Sequence, residues 1–241
     1  MAIVTERLTY EADGLAMEGY LYGDDAATRP LPGVLVFPEG HGLGDHAKGK
    51  ARRLAEAGYV ALAGDLHGGE RQLTELDEMI ESLGPMFKDP SKTRARAQGA
   101  LDALCARAEV DPARTASIGF CFGGTMSLEL ARSGAPVSAV VGFHSGLATT
   151  DPADAANIKG KVLVCLGADD PGIGPDVRAA FEQEMRGGGV DWRMHLYGGV
   201  VHSFTNPAAG AMGRPDFARY DAAADERSWS EMLALFEEVF N

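Results

Sequence analysis

Cysteine is scarce in this sequence. Its 241 residues hold three, Cys105, Cys121 and Cys165. They are scattered, with no C-x-x-C pair, which excludes a disulfide framework and a zinc finger. Long apolar runs are also missing. No stretch reaches the roughly 18 residues that a membrane-spanning helix needs. The opening MAIVTERLTY carries Glu6 and Arg7 where a signal peptide needs an unbroken apolar stretch. A cytoplasmic protein with no membrane partner is expected. Positive charge is in deficit, with 22 Lys and Arg against 35 Asp and Glu and a net charge of -13. Such a chain repels a phosphate backbone, so no nucleic-acid partner is expected. Internal repeats and low-complexity tracts are absent.

What is present fits one α/β domain spanning residues 1–241. The chain is long enough to bury a sizeable core without disulfides or metal. Residues 3–10 and 15–22 alternate in polarity across Asp13-Gly14, a hairpin signal. After Pro30 the pattern changes to short apolar runs at 33–38, 59–65, 115–120, 137–144, 161–168 and 192–197. The first five are almost continuously apolar, as strands buried on both faces are. Helical patterns lie between them, near 46–57, 72–83, 92–108, 123–133 and 176–186, with a last one at 225–239. In that last one Trp229, Leu233 and Phe236 share a face. Strands alternating with helices predict a mainly parallel central sheet with helices on both faces. The Gly- and Pro-bearing segments 66–92 and 198–220 follow strands, where open parallel sheets bind ligands. They are the candidate pocket rim.

The most informative stretch is Gly119-Phe120-Cys121-Phe122-Gly123. An apolar strand precedes it and a helix-compatible run, TMSLELAR, follows. This is the context of a nucleophile elbow with Cys in place of Ser. A side chain on a sharp strand-to-helix turn is presented at the helix N-terminus, whose N–H groups favour a thiolate and an oxyanion. Cys121 is the candidate nucleophile.

A nucleophile needs a base, and the base needs an orienting group. In the α/β-hydrolase fold the chain order is nucleophile, acid, histidine. His202 follows the run at 192–197, and Asp169 and Asp170 follow the run at 161–168. Two adjacent carboxylates point different ways, so one of them reaches the imidazole. The spacing from Gly167 and the following Pro171 favour Asp170. Of the other histidines, His195 lies within a strand, and His67 and His144 follow strands and are candidate pocket residues. The set Glu39, His41, His46 and His67 raises a metal hydrolase as a rival, but its spacing fits no metal motif. No cofactor and no metal are expected.

These residues resemble the dienelactone hydrolase family, a branch of the α/β-hydrolases with a Cys-His-Asp triad. The matching pieces are residues 119–124, Gly-Ala-Asp-Asp-Pro at 167–171, His-Ser-Phe at 202–204 and Val-Leu-Val-Phe-Pro-Glu-Gly at 34–40. The resemblance implies that Glu39 contacts the resting thiol and gates it, and that the N–H groups of Gly40 and Phe122 are the paired oxyanion donors. It implies hydrolysis of a small ester or lactone through an acyl-enzyme. Carboxylesterase or thioesterase activity, or a non-catalytic member of the fold, are the alternatives. One departure stands out. The family places an arginine two residues after His-Ser-Phe to bind a substrate carboxylate, and here that residue is Asn206. Arg71, Arg94 and Arg96 are the candidates for a second such arginine. Phe37, Phe120, Phe122, Phe143 and Phe204, with Gly68 and Gly69, are candidates to shape the pocket. Oligomeric state is not readable from these patterns.

Overall fold

A computed structural model describes residues 2–241. An N-terminal hairpin, β1 (Ile3–Ala12) and β2 (Leu15–Asp24), turns at Asp13-Gly14. Six further strands follow: β3 (Leu31–Phe37), β4 (Val60–Ala63), β5 (Val110–Phe120), β6 (Ala139–Phe143), β7 (Lys161–Gly167) and β8 (Trp192–Tyr197). They form one eight-stranded sheet in the order β1-β2-β4-β3-β5-β6-β7-β8. The hairpin joins antiparallel to β4, and every pairing from β4 to β8 is parallel.

Six helices cover the sheet: α1 (Asp45–Glu56), α2 (Leu76–Lys88), α3 (Pro90–Cys105), α4 (Phe122–Arg132), α5 (Pro175–Gly187) and α6 (Ala222–Phe240). The strands sort their apolar residues to both sides with period two. Val34, Val36, Ile118, Phe120 and Leu163 meet α1 and α6, including Leu54, Trp229 and Phe236. Leu35, Phe37, Val162, Val164 and Leu166 meet α2 to α5, including Leu101, Met126 and Phe181. This two-sided burial is why the strand runs are continuously apolar.

The structure departs from the sequence reading mainly at α2. The helix begins at Leu76, four residues later than the pattern predicts, and runs on through Pro85 to Lys88. A proline so near the end removes one intrahelical bond, and Asp89 N–H closes the extra turn on Pro85 O at 2.9 Å.

A buried ion network ties the outer layer together on one face. Arg132 of α4 is fully buried. Its guanidinium donates to both carboxylate oxygens of Glu184 on α5 at 2.8 Å and to Glu129 at 2.9 Å. Arg94 of α3 donates to Glu129 at 2.8 Å and to Asp154 at 2.6 Å. Removing one member leaves charges buried without a partner. Arg132→Met is therefore expected to cost about 3–5 kcal/mol in denaturant unfolding. A loss below about 1 kcal/mol would show that the network contributes no net stability.

Candidate active site

The parallel register brings the site together. Phe37 of β3 pairs with Gly119 of β5. Glu39 and Cys121 each lie two residues further on, so they leave neighbouring strands at the same height. Asp170 follows β7 and His202 follows β8, at the same carboxyl edge of the sheet.

Cys121 alone makes the turn between β5 and α4, with φ 53° and ψ -117°. Residues bearing a Cβ rarely adopt a positive φ, and such strain persists only where neighbours impose it. Here Cys121 N–H donates to Phe143 O at 3.0 Å, and Cys121 O accepts from Gly124 N–H at 3.1 Å. The flanking glycines have a steric cause. A Cβ on Gly119 would sit 2.0 Å from Gly123 O, and one on Gly123 would sit 2.4 Å from Phe37 O.

His202 is buried and takes its orientation from Asp170. Its Nδ1 lies 2.7 Å from Asp170 Oδ2, and a carboxylate only accepts, so Nδ1 carries the proton. Asp170 Oδ1 accepts from Gly172 N–H at 2.8 Å. Asp169, its neighbour, is exposed. The imidazole and Cys121 line the same cavity. Burial alone would favour the neutral ring. The neighbouring Cys121 and the hydrogen-bonded Asp170 carboxylate outweigh it, and the His202 pKa is pushed up to about 10.

Glu39 is buried beside this group, but its hydrogen bonds go elsewhere than expected. Oε1 accepts from Ser203 Oγ at 2.8 Å and Oε2 from Asn206 Nδ2 at 2.5 Å. The implied contact with the resting thiol is not among its hydrogen bonds. Asn206 supplies the reason: the short amide standing where an arginine was expected reaches the carboxylate itself. Gly40 lines the cavity and Phe122 opens α4 beside the thiol. Neither N–H donates to a protein acceptor among the described residues.

Cys121, His202, Glu39 and Gly40 open into a cavity of about 350 Å³. Its walls are the residues that the sequence did not single out: Met79 of α2, and Met212, Arg214 and Phe217 from the segment before α6. Both segments fall within the expected rim. Arg214 lies with its guanidinium 5.0 Å from the Phe217 ring centre, and that ring packs 5.4 Å from the His202 ring. No ion pair engages Arg214 among the described residues, and it is the one arginine or lysine among those lining the cavity. A cleft of about 460 Å³ beneath the hairpin is larger, but it contains no nucleophile beside a base.

Several candidates lie away from the cavity. Arg94 belongs to the buried network, Arg96 donates to Asp13 at 3.0 Å and to Leu66 O at 2.7 Å, and Arg71 is exposed outside the lining. Phe37, Phe120, Phe143 and Phe204 are packed in the core, which is the ordinary role of phenylalanine. Gly68 and Gly69 turn beneath β2 rather than at the cavity. His195 bonds to Glu231 from within β8. Of the rival metal set, His41 lines the cavity, while His46 bonds to Thr205 O and His67 to Gly40 O. No three His, Cys, Asp or Glu side chains are grouped to hold a metal among the described residues. His144 lies behind His202, ring centres 5.1 Å apart, with Nε2 on Thr205 Oγ1 at 2.8 Å. No helix among the described residues is long and apolar enough to cross a membrane.

Comparison with known proteins gives a consistent answer. The model of the dienelactone hydrolase family matches residues 17–240. A solved structure named m3DLH superposes with a TM-score of 0.96 at 46% identity, covering 100% of both chains. A dienelactone hydrolase-like promiscuous phosphotriesterase from metagenomic libraries superposes with a TM-score of 0.95 at 44% identity, covering 99% of each chain. A protein of Bradyrhizobium sp, named as a probable 2-oxo-3-(5-oxofuran-2-ylidene)propanoate lactonase, is 32% identical over 191 residues. That match covers 73% of this chain and 75% of the relative.

Proposed function

The chain belongs to the dienelactone hydrolase family, with its α/β-hydrolase fold, and from that premise we propose that it hydrolyses a small carboxylic ester or lactone through an acyl-enzyme on Cys121. One observation carries the reading. His202, oriented by the Asp170 carboxylate, faces the same substrate-sized cavity as Cys121 on its strained turn.

In this reading the Cys121 thiolate attacks the carbonyl carbon and the carbonyl oxygen becomes an oxyanion. The N–H groups of Gly40 and Phe122 hold that charge, helped by the positive end of α4. The imidazolium of His202 gives its proton to the leaving alkoxide as the tetrahedral intermediate collapses to a thioester. In a lactone the leaving alkoxide stays tethered, so one product carries both the new acid and the freed hydroxyl. His202, now neutral, takes a proton from water, which attacks the thioester and releases Cys121. Asp170 keeps Nδ1 protonated throughout. Glu39 faces the same cavity, held there by Ser203 Oγ and Asn206 Nδ2.

The substrate class follows from Arg214. An unpaired guanidinium at the rim of this cavity favours an acyl or leaving group that carries a carboxylate. Rates should be compared across cis-dienelactone, a neutral p-nitrophenyl ester, an acyl thioester and a phosphotriester, the last chosen for the 44% identical relative. Arg214→Gln is expected to lower kcat/KM for the carboxylate-bearing lactone about tenfold and for the neutral ester less than about twofold. Equal losses on both would remove the anion preference. Turnover of the thioester alone would favour the thioesterase reading.

A further inference from the structure

Asp170 fixes one corner of the His202 ring, through Nδ1 at 2.7 Å. A hydrogen bond at one atom leaves the tilt of the ring to its packing. Two other rings supply that packing. His144 lies behind, its ring centre 5.1 Å away at an interplanar angle of 67°. Phe217 lies on the cavity side, its ring centre 5.4 Å away and tilted by 30°. His144 is fully buried in the core, whereas Phe217 is half-buried and comes from the segment before α6.

The main chain holds Phe217 in that place. His202 N–H donates to Phe217 O at 3.0 Å, and Arg219 N–H donates to His202 O at 3.1 Å, a single parallel rung that sets Ala218 beside His202. The N–H groups of Phe217 and Ala218 both donate to Arg214 O at 2.9 Å, which closes a turn on Arg214. Arg219 braces this turn, its guanidinium donating to Pro215 O and Gly199 O at 3.2 Å. Phe217 is therefore tied through its backbone to both His202 and Arg214. Its side chain repeats both links. The ring packs on the imidazole, and the Arg214 guanidinium lies 5.0 Å from its centre, within reach of a cation–π attraction. Arg214 has no ion pair among the described residues, so the ring decides where a long, rotamer-rich side chain waits.

We propose that Phe217 is a positioning residue that holds the His202 ring and the Arg214 guanidinium together, and so couples recognition of a substrate carboxylate to the histidine that moves the proton. This rests on the reading of Arg214 as the carboxylate anchor and His202 as the base. The two contacts have separate signatures. The ring on His202 serves every substrate and acts on kcat. The ring under Arg214 serves only substrates that carry a carboxylate and acts on KM.

The test measures kcat and KM for cis-dienelactone and a neutral p-nitrophenyl ester in the wild type, Phe217→Leu and Phe217→Tyr, with Arg214→Gln added to the wild type and to Phe217→Leu. Phe217→Leu is expected to lower kcat about three- to tenfold on both substrates, and to raise KM about three- to fivefold on the lactone alone. Phe217→Tyr, which keeps the ring, is expected to hold all four constants within about twofold. Arg214→Gln should cost about tenfold in kcat/KM on the lactone in the wild type, but less than about threefold in Phe217→Leu, where the guanidinium has already lost its seat. Should the leucine variant misfold, Phe217→Met takes its place with the same expectations. A full tenfold cost of Arg214→Gln in the Phe217→Leu background, an unchanged kcat on the neutral ester, or no rescue by tyrosine would overturn the proposal. A wild type that hydrolyses neither substrate, or an Arg214→Gln loss equal on both, would overturn the parent reading together with it. Lactone-selective loss in Arg214→Gln that simply adds to the loss in Phe217→Leu overturns this proposal alone.

Discussion

Cys121→Ala is expected to lower ester turnover by about 10⁴-fold or more while leaving the fold intact. The size follows from what is lost. With no thiolate there is no covalent route, and the remaining oxyanion donors can assist only the direct attack of water. The fold is spared because alanine at this position keeps the Cβ and the backbone bonds to Phe143 and Gly124 that hold the turn. The thiol is half-buried at a cavity, not wedged in the core. A second readout separates this outcome from a merely damaged site. A short p-nitrophenyl ester mixed with wild-type protein and quenched early should leave its acyl group on the peptide containing Cys121, detected by mass. The variant should carry none. Full activity in Cys121→Ala, or an acyl group on another residue, would transfer the nucleophile role elsewhere and leave the cavity as a binding site. Cys105 and Cys165 are poor replacements, since burial pushes both thiols up, Cys165 to about 12.

The parts of this molecule that were legible in its sequence are those whose cause is local. The elbow compresses a strand end, a forced turn and a helix start into one short stretch, and Gly119 and Gly123 are required by backbone oxygens only 2.0 and 2.4 Å from a Cβ. The strands were legible because both faces are buried, which turns period-two alternation into unbroken apolar runs. Asp170 over Asp169 was favoured by spacing, and the structure buries the first and exposes the second. The cavity walls were not legible. Met79, Arg214 and Phe217 meet only because α2 and the segment before α6 fold over the same strand ends, and nothing local in either segment marks that encounter. The partners of Glu39 were missed for a related reason. Ser203 and Asn206 reach it from 164 and 167 residues away in sequence, across the sheet. Arg94 and Arg96, candidates for a substrate arginine, serve structural pairs, while the guanidinium at the cavity is that of Arg214, far along the chain.

Asp170→Asn is expected to lower kcat about 10³- to 10⁴-fold with a smaller change in KM. In the native site both Asp170 oxygens accept from N–H groups, one from His202 Nδ1 and one from Gly172. An asparagine offers one oxygen and one NH₂. Whichever way the amide turns, a donor faces a donor, so the imidazole either flips its tautomer or loses its anchor. The pH profile should move as well. The His202 pKa is raised to about 10, above its ordinary value near 6.5, by Cys121 and Asp170 against the opposing effect of burial. A raised pKa stabilises the folded protein fully below about 6.5, and that contribution is lost as pH rises through about 10. Removing the Asp170 charge lowers the folded-state pKa. The alkaline limb of kcat/KM, where the imidazolium proton leaves the Cys121–His202 pair, should therefore shift to lower pH. The stability difference between wild type and variant should be largest near pH 6 and narrow toward pH 10, because the wild type gives up its advantage over that interval. Asp169→Asn, at the exposed neighbour, should move neither profile. An alkaline limb that stays in place in Asp170→Asn, with kcat within about threefold of wild type, would show that Asp170 neither orients nor charges His202, and the imidazole would then owe its state to Cys121 alone.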